Sequence, residues 1–593
     1  MIKPEAELLF EASWEVCNKI GGIYTVVKSK AALTKKHYKN YFLVGPYFEK
    51  NLVEFEQKEA PEYLSKSFSA LEKEGIICKF GAWNIRGEPD MILVDSSRVV
   101  SKKNEIKTAL WNDYKIDSLY SQWEFEEPIV WSYAVARLIE EVSSRLKGKK
   151  IVAHFHEWLA GTALLHLKKN KVNIGCVFTT HATMLGRTIA GFGEDLYGML
   201  PKLNPDAEAY KRGIQDKFTT ERACAQNADV FTTVSEITAI EAEKILGRKP
   251  EVLLLNGLDI EKFPTVEEFS IKHVTCREKI REFLISYFYP YYTFEVNNVT
   301  LMFIVGRYEF KNKGIDLFIH SLGQLNDRLK EEKSKKTVAV FFWIPRENNG
   351  PKIEVLENKN YYRHIKNYVA FNSEKILSNI VYDIVSQKDI SKGHLFTKDF
   401  IQDIKKDILS FKRKGNPPII THNINDEQND IILKELINYG LDNREDDPVK
   451  VIYYPTYLDV NDGLVNLSYY DAMAGCHLGV FPSYYEPWGY TPLEASALGV
   501  PSVTSDLAGF GRFIEGKLKN NLNDGIFVLK RFNRKQEDIE RDFTELLYKF
   551  IMRDKHSRAA NKLNAKELSG LADWKLLIEN YIKAHNLAVR KII

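Results

Sequence analysis

Short apolar, β-rich runs that alternate with stretches of helical period constrain this chain more than any other feature. In the first half they are Leu8–Ala12, Tyr41–Val44, Ile151–Phe155, Cys176–Thr180, Val230–Val234 and Val252–Leu255. In the second half they are Leu301–Val305, Val338–Ile344, Ile419–Thr421, Val451–Tyr454, His477–Phe481, Ser502–Thr504 and Ile526–Leu529. A strand apolar on both sides is covered on both faces, so the pattern predicts parallel strands in doubly wound α/β layers. One sheet rarely takes so many strands, and 593 residues exceed one hydrophobic core. Two Rossmann-like domains facing a deep cleft follow. Residues 1–258 form the first and 259–573 the second, with the break at the turn-forming Asn256-Gly257-Leu258-Asp259; the last helix, 574–593, packs back on the first. Between 351 and 415 the alternation lapses. There Ile376, Ile380, Ile384 and then Phe400, Ile404, Ile408 recur at helical spacing, which predicts a helical insertion, either a decorating lobe or an oligomer contact.

Composition excludes several function classes. Lys+Arg number 83 and Asp+Glu 80, and a net charge of +3 is too small for nucleic-acid binding through bulk charge. Six scattered cysteines without a Cys-x-x-Cys pair predict a reducing cytosol and no zinc ribbon. The first residues, Met1 to Glu7, carry acids where a signal peptide has an apolar core, and no apolar run is long enough to cross a membrane. A soluble cytoplasmic protein is expected, with neither nucleic acid nor membrane as partner.

Ligands of doubly wound domains bind beyond the carboxyl ends of the strands, and the chemistry-bearing motifs fall there. After His477–Phe481 comes Pro-Ser-Tyr-Tyr-Glu486-Pro-Trp488-Gly489-Tyr490-Thr491-Pro492-Leu-Glu494. Thr491, Pro492 and Glu494 fit N-cap, N1 and N3 of a capping box closed by Gly499, so Glu494 has a structural explanation. Glu486 has none and is expected to point into the cleft, beside the free amides of Gly489, Tyr490 and Thr491, which suit phosphate. After Leu301–Val305, Arg307 and Lys313 lie across a loop that suits a diphosphate. After the first strand, Gly21 and Gly22 let backbone approach a ligand, but no complete G-x-G-x-x-G is present, which disfavours a dinucleotide enzyme. His154 and His156 are read as facing opposite ways, so a shared metal is not expected. His181 is placed to contact a sugar hydroxyl or developing charge, with a satisfied core histidine as the alternative. Without a P-loop or an Asp-x-Asp motif, the set describes transfer from a sugar nucleotide with protein cations stabilising the leaving diphosphate.

The segments Asn18-Lys19-Ile20-Gly21-Gly22, Ala153 to Trp158, Thr180 to Arg187, Gly306 to Gly314 and Cys476 to Tyr490 closely resemble glycogen synthases of the animal and fungal type, over residues 8 to about 590. The resemblance implies a GT-B fold and retaining transfer of glucose from UDP-glucose to the non-reducing 4-hydroxyl of an α-1,4-glucan, with no metal or cofactor. By motif, Glu486 lies beside the transferred glucose and Glu494 at the ribose. Arg307 and Lys313 hold the diphosphate, and His181 lies near the glucose. Tyr469 stacks on uracil, while Lys19, Gly21 and Gly22 line the phosphate side. The insertion sits where the family forms its oligomer contacts, so a homotetramer is expected. Two departures stand out. The stretch Arg553 to Lys562 is sparse in arginine where relatives bind glucose 6-phosphate, and the chain ends soon after Trp574 without a Ser-rich tail. An unregulated enzyme, prokaryotic in style, is expected. The alternatives are a retaining transferase using ADP-glucose or another acceptor, a phosphorylase carrying pyridoxal phosphate, and a non-catalytic glycan-binding scaffold.

Overall fold

The computed structural model describes residues 2–389, 396, 398–518 and 524–592. Residues 390–395 and 397 of the expected insertion lie outside the described residues.

The first sheet has nine strands: β1 (Leu8–Ala12), β2 (Asn40–Pro46), β3 (Phe55–Gln57), β4 (Ile77–Trp83), β5 (Asp90–Asp95), β6 (Ile151–His156), β7 (Gly175–Thr180), β8 (Val230–Thr233) and β9 (Val252–Leu253). Their order is β3-β4-β5-β2-β1-β6-β7-β8-β9. All pairs are parallel except at one edge, where β4 runs antiparallel to β3 and β5. Sequence reasoning missed this edge because β4 interleaves Cys78, Lys79 and Gly81 among its apolar residues, as a strand wetted on one side does. The second sheet has β10 (Thr300–Val305), β11 (Val338–Trp343), β14 (Val449–Tyr454), β15 (Leu478–Val480), β16 (Ser502–Ser505) and β17 (Ile526–Leu529), in the order β14-β11-β10-β15-β16-β17. A separate antiparallel ribbon joins β12 (Asn348–Pro351) to β13 (His422–Ile424). The strand expected at Ile419–Thr421 is reduced to one bridge, Ile420 to Tyr453. Pro417 and Pro418 precede it and have no N–H to offer a ladder.

Each sheet is buried on both faces. Leu8, Phe10 and Ala12 enter one core while Leu9 enters another on the opposite side; Met302 and Ile304 are divided from Leu301 and Phe303 in the same way. The chain crosses between the halves twice, side by side. Leu258 N–H donates to Ala572 O at 2.9 Å, and Trp574 N–H donates to Leu258 O at 3.2 Å. The Trp574–Val589 helix then packs on β6, β7 and β8 and on the Gly22–His37 helix. The region around 351–415 carries helices Ile353–Phe371, Ser373–Val385 and Lys398–Phe411.

Two glycines set the second half's loops. Gly489 has φ +109°, and Gly314 has φ +68° with its Cα so close to the next loop that a Cβ would sit 2.2 Å from Pro482 O. Gly314→Ala is therefore expected to cost about 2 kcal/mol or more in chemical denaturation, through strain and through separation of these loops.

Candidate active site

The loops after β10 and β15 bring Lys313 and Glu486 together: Lys313 Nζ donates to Glu486 Oε2, with the two side chains only 17% and 21% exposed. The Gly314–Pro482 approach makes this pairing possible. The Glu486 loop is pinned from behind by Gly509 N–H donating to Glu486 O at 3.1 Å and Phe510 N–H donating to Trp488 O at 2.7 Å. Arg307 behaves differently. Its side chain is 81% exposed and pairs with its neighbour Glu309 at 3.0 Å, so the structure does not bring it to Lys313.

The capping-box reading of Thr491 and Glu494 is corrected. The helix runs Tyr490–Ala497 with Gly489 as N-cap and no side-chain cap, because the left-handed Gly489 starts it two residues earlier than a Thr491 cap would. Its first amides therefore have no side chain bonded to them, as anion binding requires. Glu494 is held instead by the hydroxyls of Tyr469 and Tyr470, each donating at 3.0 Å, and burial raises its carboxyl to about 7. Tyr469 thus touches Glu494. Trp488, expected to face the ligand, is a core ring 3% exposed, packed on Phe510 and Phe513. Tyr490 is half-buried with an enclosed, unpartnered hydroxyl.

In the first half, Lys19, Gly21 and Gly22 lie exposed before the Gly22–His37 helix. The carboxylate of Glu15 accepts from Gly21 N–H at 2.9 Å and from Tyr24 N–H at 2.8 Å, taking the anion position at that helix start. His181, just past β7, is fixed by backbone: its N–H donates to Glu157 Oε1 at 2.8 Å. Glu157 has φ +63°.

Sequence reasoning missed a cluster behind His181. Glu221 accepts from Thr180 Oγ1 and, at 2.9 Å, from Met184 N–H; Glu241 accepts from Thr183 Oγ1 and, at 3.0 Å, from the Tyr485 hydroxyl of the other half. Burial raises Glu157 to about 7, Glu221 to about 8 and Glu241 to about 7. Arg187 faces this cluster and makes no direct ion pair among the described residues. The signal was present: Glu241 lies on the helix face of Ile237, Ala242 and Ile245, where an acid is out of place. Tyr484, donating to Asp195 Oδ1 at 2.8 Å, makes a second contact across the cleft.

The reading of His154 and His156 as facing opposite ways is also corrected. Residues two apart on a strand share a face, and the two rings lie 4.3 Å apart, with Glu11 close enough for the three to surround an ion. Lys30 Nζ already lies against both oxygens of that carboxylate, so an ammonium holds the cation's place.

Far from the Lys313–Glu486 pair, a cavity of about 910 Å³ is lined by Arg277, Arg281, Lys335, Lys336, Lys555, Arg558 and Lys562, with His273 and His477 and no acid. Burial and then Arg277 and Arg558 bring Lys562 down to about 8; burial and neighbouring arginines bring Arg277 to about 10. The arginine-poor stretch 553–562 supplies only part of this charge; the Val266–Phe288 helix supplies Arg277 and Arg281 and the segment before β11 supplies Lys335 and Lys336, so sequence proximity understated it.

Two doubly wound halves, with a cation and a carboxylate paired on neighbouring strand-end loops of the second sheet, are the arrangement of a GT-B glycosyltransferase. The fold is similar to the catalytic domain of starch synthase IV from Arabidopsis thaliana, at TM-score 0.50 and 13% identity over 98% of this chain and 100% of that one. A model of the glycogen synthase family matches residues 11–593. The chain is 38% identical over 587 residues to the liver glycogen [starch] synthase of Rattus norvegicus, covering 98% of this chain and 83% of that one. It is 39% identical over 610 residues to glycogen [starch] synthase isoform 2 of Saccharomyces cerevisiae, covering 98% and 86%. The chain belongs to the glycogen synthase family.

Because Glu241 is raised from 4.5 to about 7, the folded state binds its proton more tightly than the unfolded chain. That contribution is complete below 4.5 and is lost as pH rises through about 7. Glu241→Gln keeps an acceptor for Thr183 and Tyr485 but cannot ionise. Its melting temperature is expected to fall less than the wild type's across this window; equal slopes by calorimetry would show that Glu241 does not titrate there.

Proposed function

We propose that the protein transfers glucose from UDP-glucose to the non-reducing 4-hydroxyl of an α-1,4-glucan with retention, using protein cations rather than a metal, in the cytoplasm. The observation that carries this reading is the Lys313–Glu486 contact on the loops after β10 and β15, in a chain of the glycogen synthase family. In the reaction the bond from the anomeric carbon to the diphosphate breaks, the acceptor oxygen forms the new glycosidic bond, and its proton passes to the departing diphosphate. Lys313 is placed to stabilise the charge growing on the diphosphate, and Glu486 to stabilise charge growing at the anomeric carbon. Arg307 reaches the diphosphate by exchanging Glu309 for it, a short move for an exposed side chain. Glu494, with Tyr469 and Tyr470, offers acceptors and rings to a nucleoside. Lys19, Gly21, Gly22 and Arg187 supply the facing wall.

The helical insertion supports assembly into a homotetramer. Leu377, Val381, Ile384 and Val385 form one face of the Ser373–Val385 helix and are 58–76% exposed, an apolar stripe that a second copy would cover. The cation-lined cavity supports binding of a phosphorylated ligand such as glucose 6-phosphate, an alternative to the expectation of an unregulated enzyme.

Incubation with radiolabelled UDP-glucose or ADP-glucose and glycogen, with and without glucose 6-phosphate, should put label into polymer from UDP-glucose, more so with the hexose phosphate. Label only from ADP-glucose would overturn the donor assignment. Glu486→Gln is expected to lower kcat about 10³-fold while nucleotide binding by calorimetry persists. Lys313→Ala should raise donor KM and lower kcat, for about a 10²-fold loss in kcat/KM.

A further inference from the structure

The buried groups behind His181 decide which hydrogen-bonding role that histidine offers the cleft. Strands β1, β6 and β7 run in parallel register, with Glu11 beside His154 and His156 beside Thr179. Glu11, His156 and His181 therefore share one face of the sheet. Glu11 is wholly buried and accepts from Lys30 Nζ on both oxygens, from the Tyr41 hydroxyl, and from His156 Nε2 at 2.8 Å. All its other partners are donors to an ionised carboxylate, so His156 carries its proton on Nε2. Burial holds His156 below its ordinary value against the opposing pull of Glu11, with Lys30 a smaller aid, and with Nε2 donating to Glu11 a neutral ring keeps its lone pair on Nδ1. That lone pair lies 2.9 Å from His181 Nε2, which must donate. His181 is likewise neutral, held well below its ordinary value by burial, His156 and Arg187. Its Nδ1 is then bare. It has no hydrogen-bond partner among the described residues, and ring geometry puts it on the side away from His156.

We propose that Glu11 and His156 are positioning residues that fix His181 as a hydrogen-bond acceptor, so that it selects a sugar hydroxyl and turns away phosphate oxygens. A bare ring nitrogen gains a bond from a hydroxyl and meets only repulsion from an oxyanion. This rests on the glucosyl-transfer reading for the identity of the sugar, whereas the tautomer chain stands on the protein alone. Each proton points inward, from His181 to His156 and from His156 and Lys30 to Glu11, and neither histidine can reverse without leaving a lone pair facing an acceptor.

Nitrogen-15 spectra of the histidines in the intact protein test the chain without turnover. His181 should be protonated on Nε2 and bare on Nδ1; a proton on Nδ1 overturns the proposal. Glu11→Gln paired with Lys30→Met removes both charges together, and a glutamine amide donating to His156 Nε2 would reverse the order and put an N–H on the cleft side of His181. Donors with one hydroxyl remote from the anomeric carbon replaced by fluorine or hydrogen then report the change. The wild type should use both analogues poorly at the contacted position, about tenfold below the parent, because neither fluorine nor hydrogen donates. The folded double variant should favour fluorine, which can accept. A merely structural role would lower activity without reversing that order, so an unchanged order in a variant with wild-type melting sinks the proposal. If the variant does not fold, the wild-type spectrum decides alone. If no donor is used at all, the glucosyl-transfer reading fails while the spectrum still stands.

Discussion

A carboxylate sealed in the centre of the first sheet is the constraint on which the rest depends. Glu11 and Lys30 are 0% and 1% exposed, and taking such charges out of water costs several kcal/mol each unless every donor and lone pair is met. Here they are met: two bonds come from Lys30, one from Tyr41 and one from His156. Those partners belong to the Gly22–His37 helix, β2 and β6, so one anion fixes three elements around β1. The web continues through His154, whose Nε2 pairs with Thr179 at 2.7 Å and whose Nδ1 meets His585 at 3.2 Å, while Tyr38 closes on His585 at 2.7 Å. His585 lies on the final helix, so the end of the chain completes the core of its beginning.

The same face carries the polar web out to the cleft, where stability and function trade against each other. The loop holding His181 hangs from three buried acids, each raised toward neutrality, and Glu157 adopts φ +63°, a conformation that costs a non-glycine residue about 1–3 kcal/mol. A hydrophobic floor would be more stable. What acids provide is direction: each accepts bonds only from particular N–H and O–H groups, which holds residues 180–184 in one place. Tyr485 donating to Glu241 carries that order across to the loop of Glu486.

The fold was legible where burial is symmetric and obscure where it is not. β1 and β17 match their runs, and the other parallel strands except β5 differ from theirs by only a few residues, because a strand covered on both faces is mostly apolar, with buried polar residues such as Glu11 and His154 the exceptions. At the β3–β5 edge, β3 and the first three residues of β4 are partly or wholly exposed, whereas Met91 to Val94 of β5 is a buried apolar run that sequence reasoning passed over. In the site, Lys313 and Glu486 were readable because strand-end loops are where charged residues lack a packing reason. Of the buried acids, Glu241 was readable as an acid on an apolar helix face and was passed over, while Glu221 sits in a helix whose period alone says core. The error over His154 and His156 was of another kind, a misapplied strand period. Correct alternation with Leu9 and Val152 would have placed Glu11 and both histidines on the face that the Gly22–His37 helix covers.

One short helix joins the two places suited to anions. The Tyr490–Ala497 helix begins at Gly489 beside Glu486, with amides that no side chain caps, and carries Glu494 in its second turn. Its other end is gripped by cavity elements: Lys566 donates to Ala497 O at 2.7 Å, and His273 Nε2 bonds Leu498 O at 2.8 Å while its Nδ1 meets Lys562 at 3.1 Å. A helix dipole favours cations at the carboxyl end and anions at the amino end, so both arrangements follow from one polarity. Lys562 sits where like charge and burial already lower its affinity for its proton. An anion in the cavity would restore that charge next to a helix end whose opposite end faces the reacting groups.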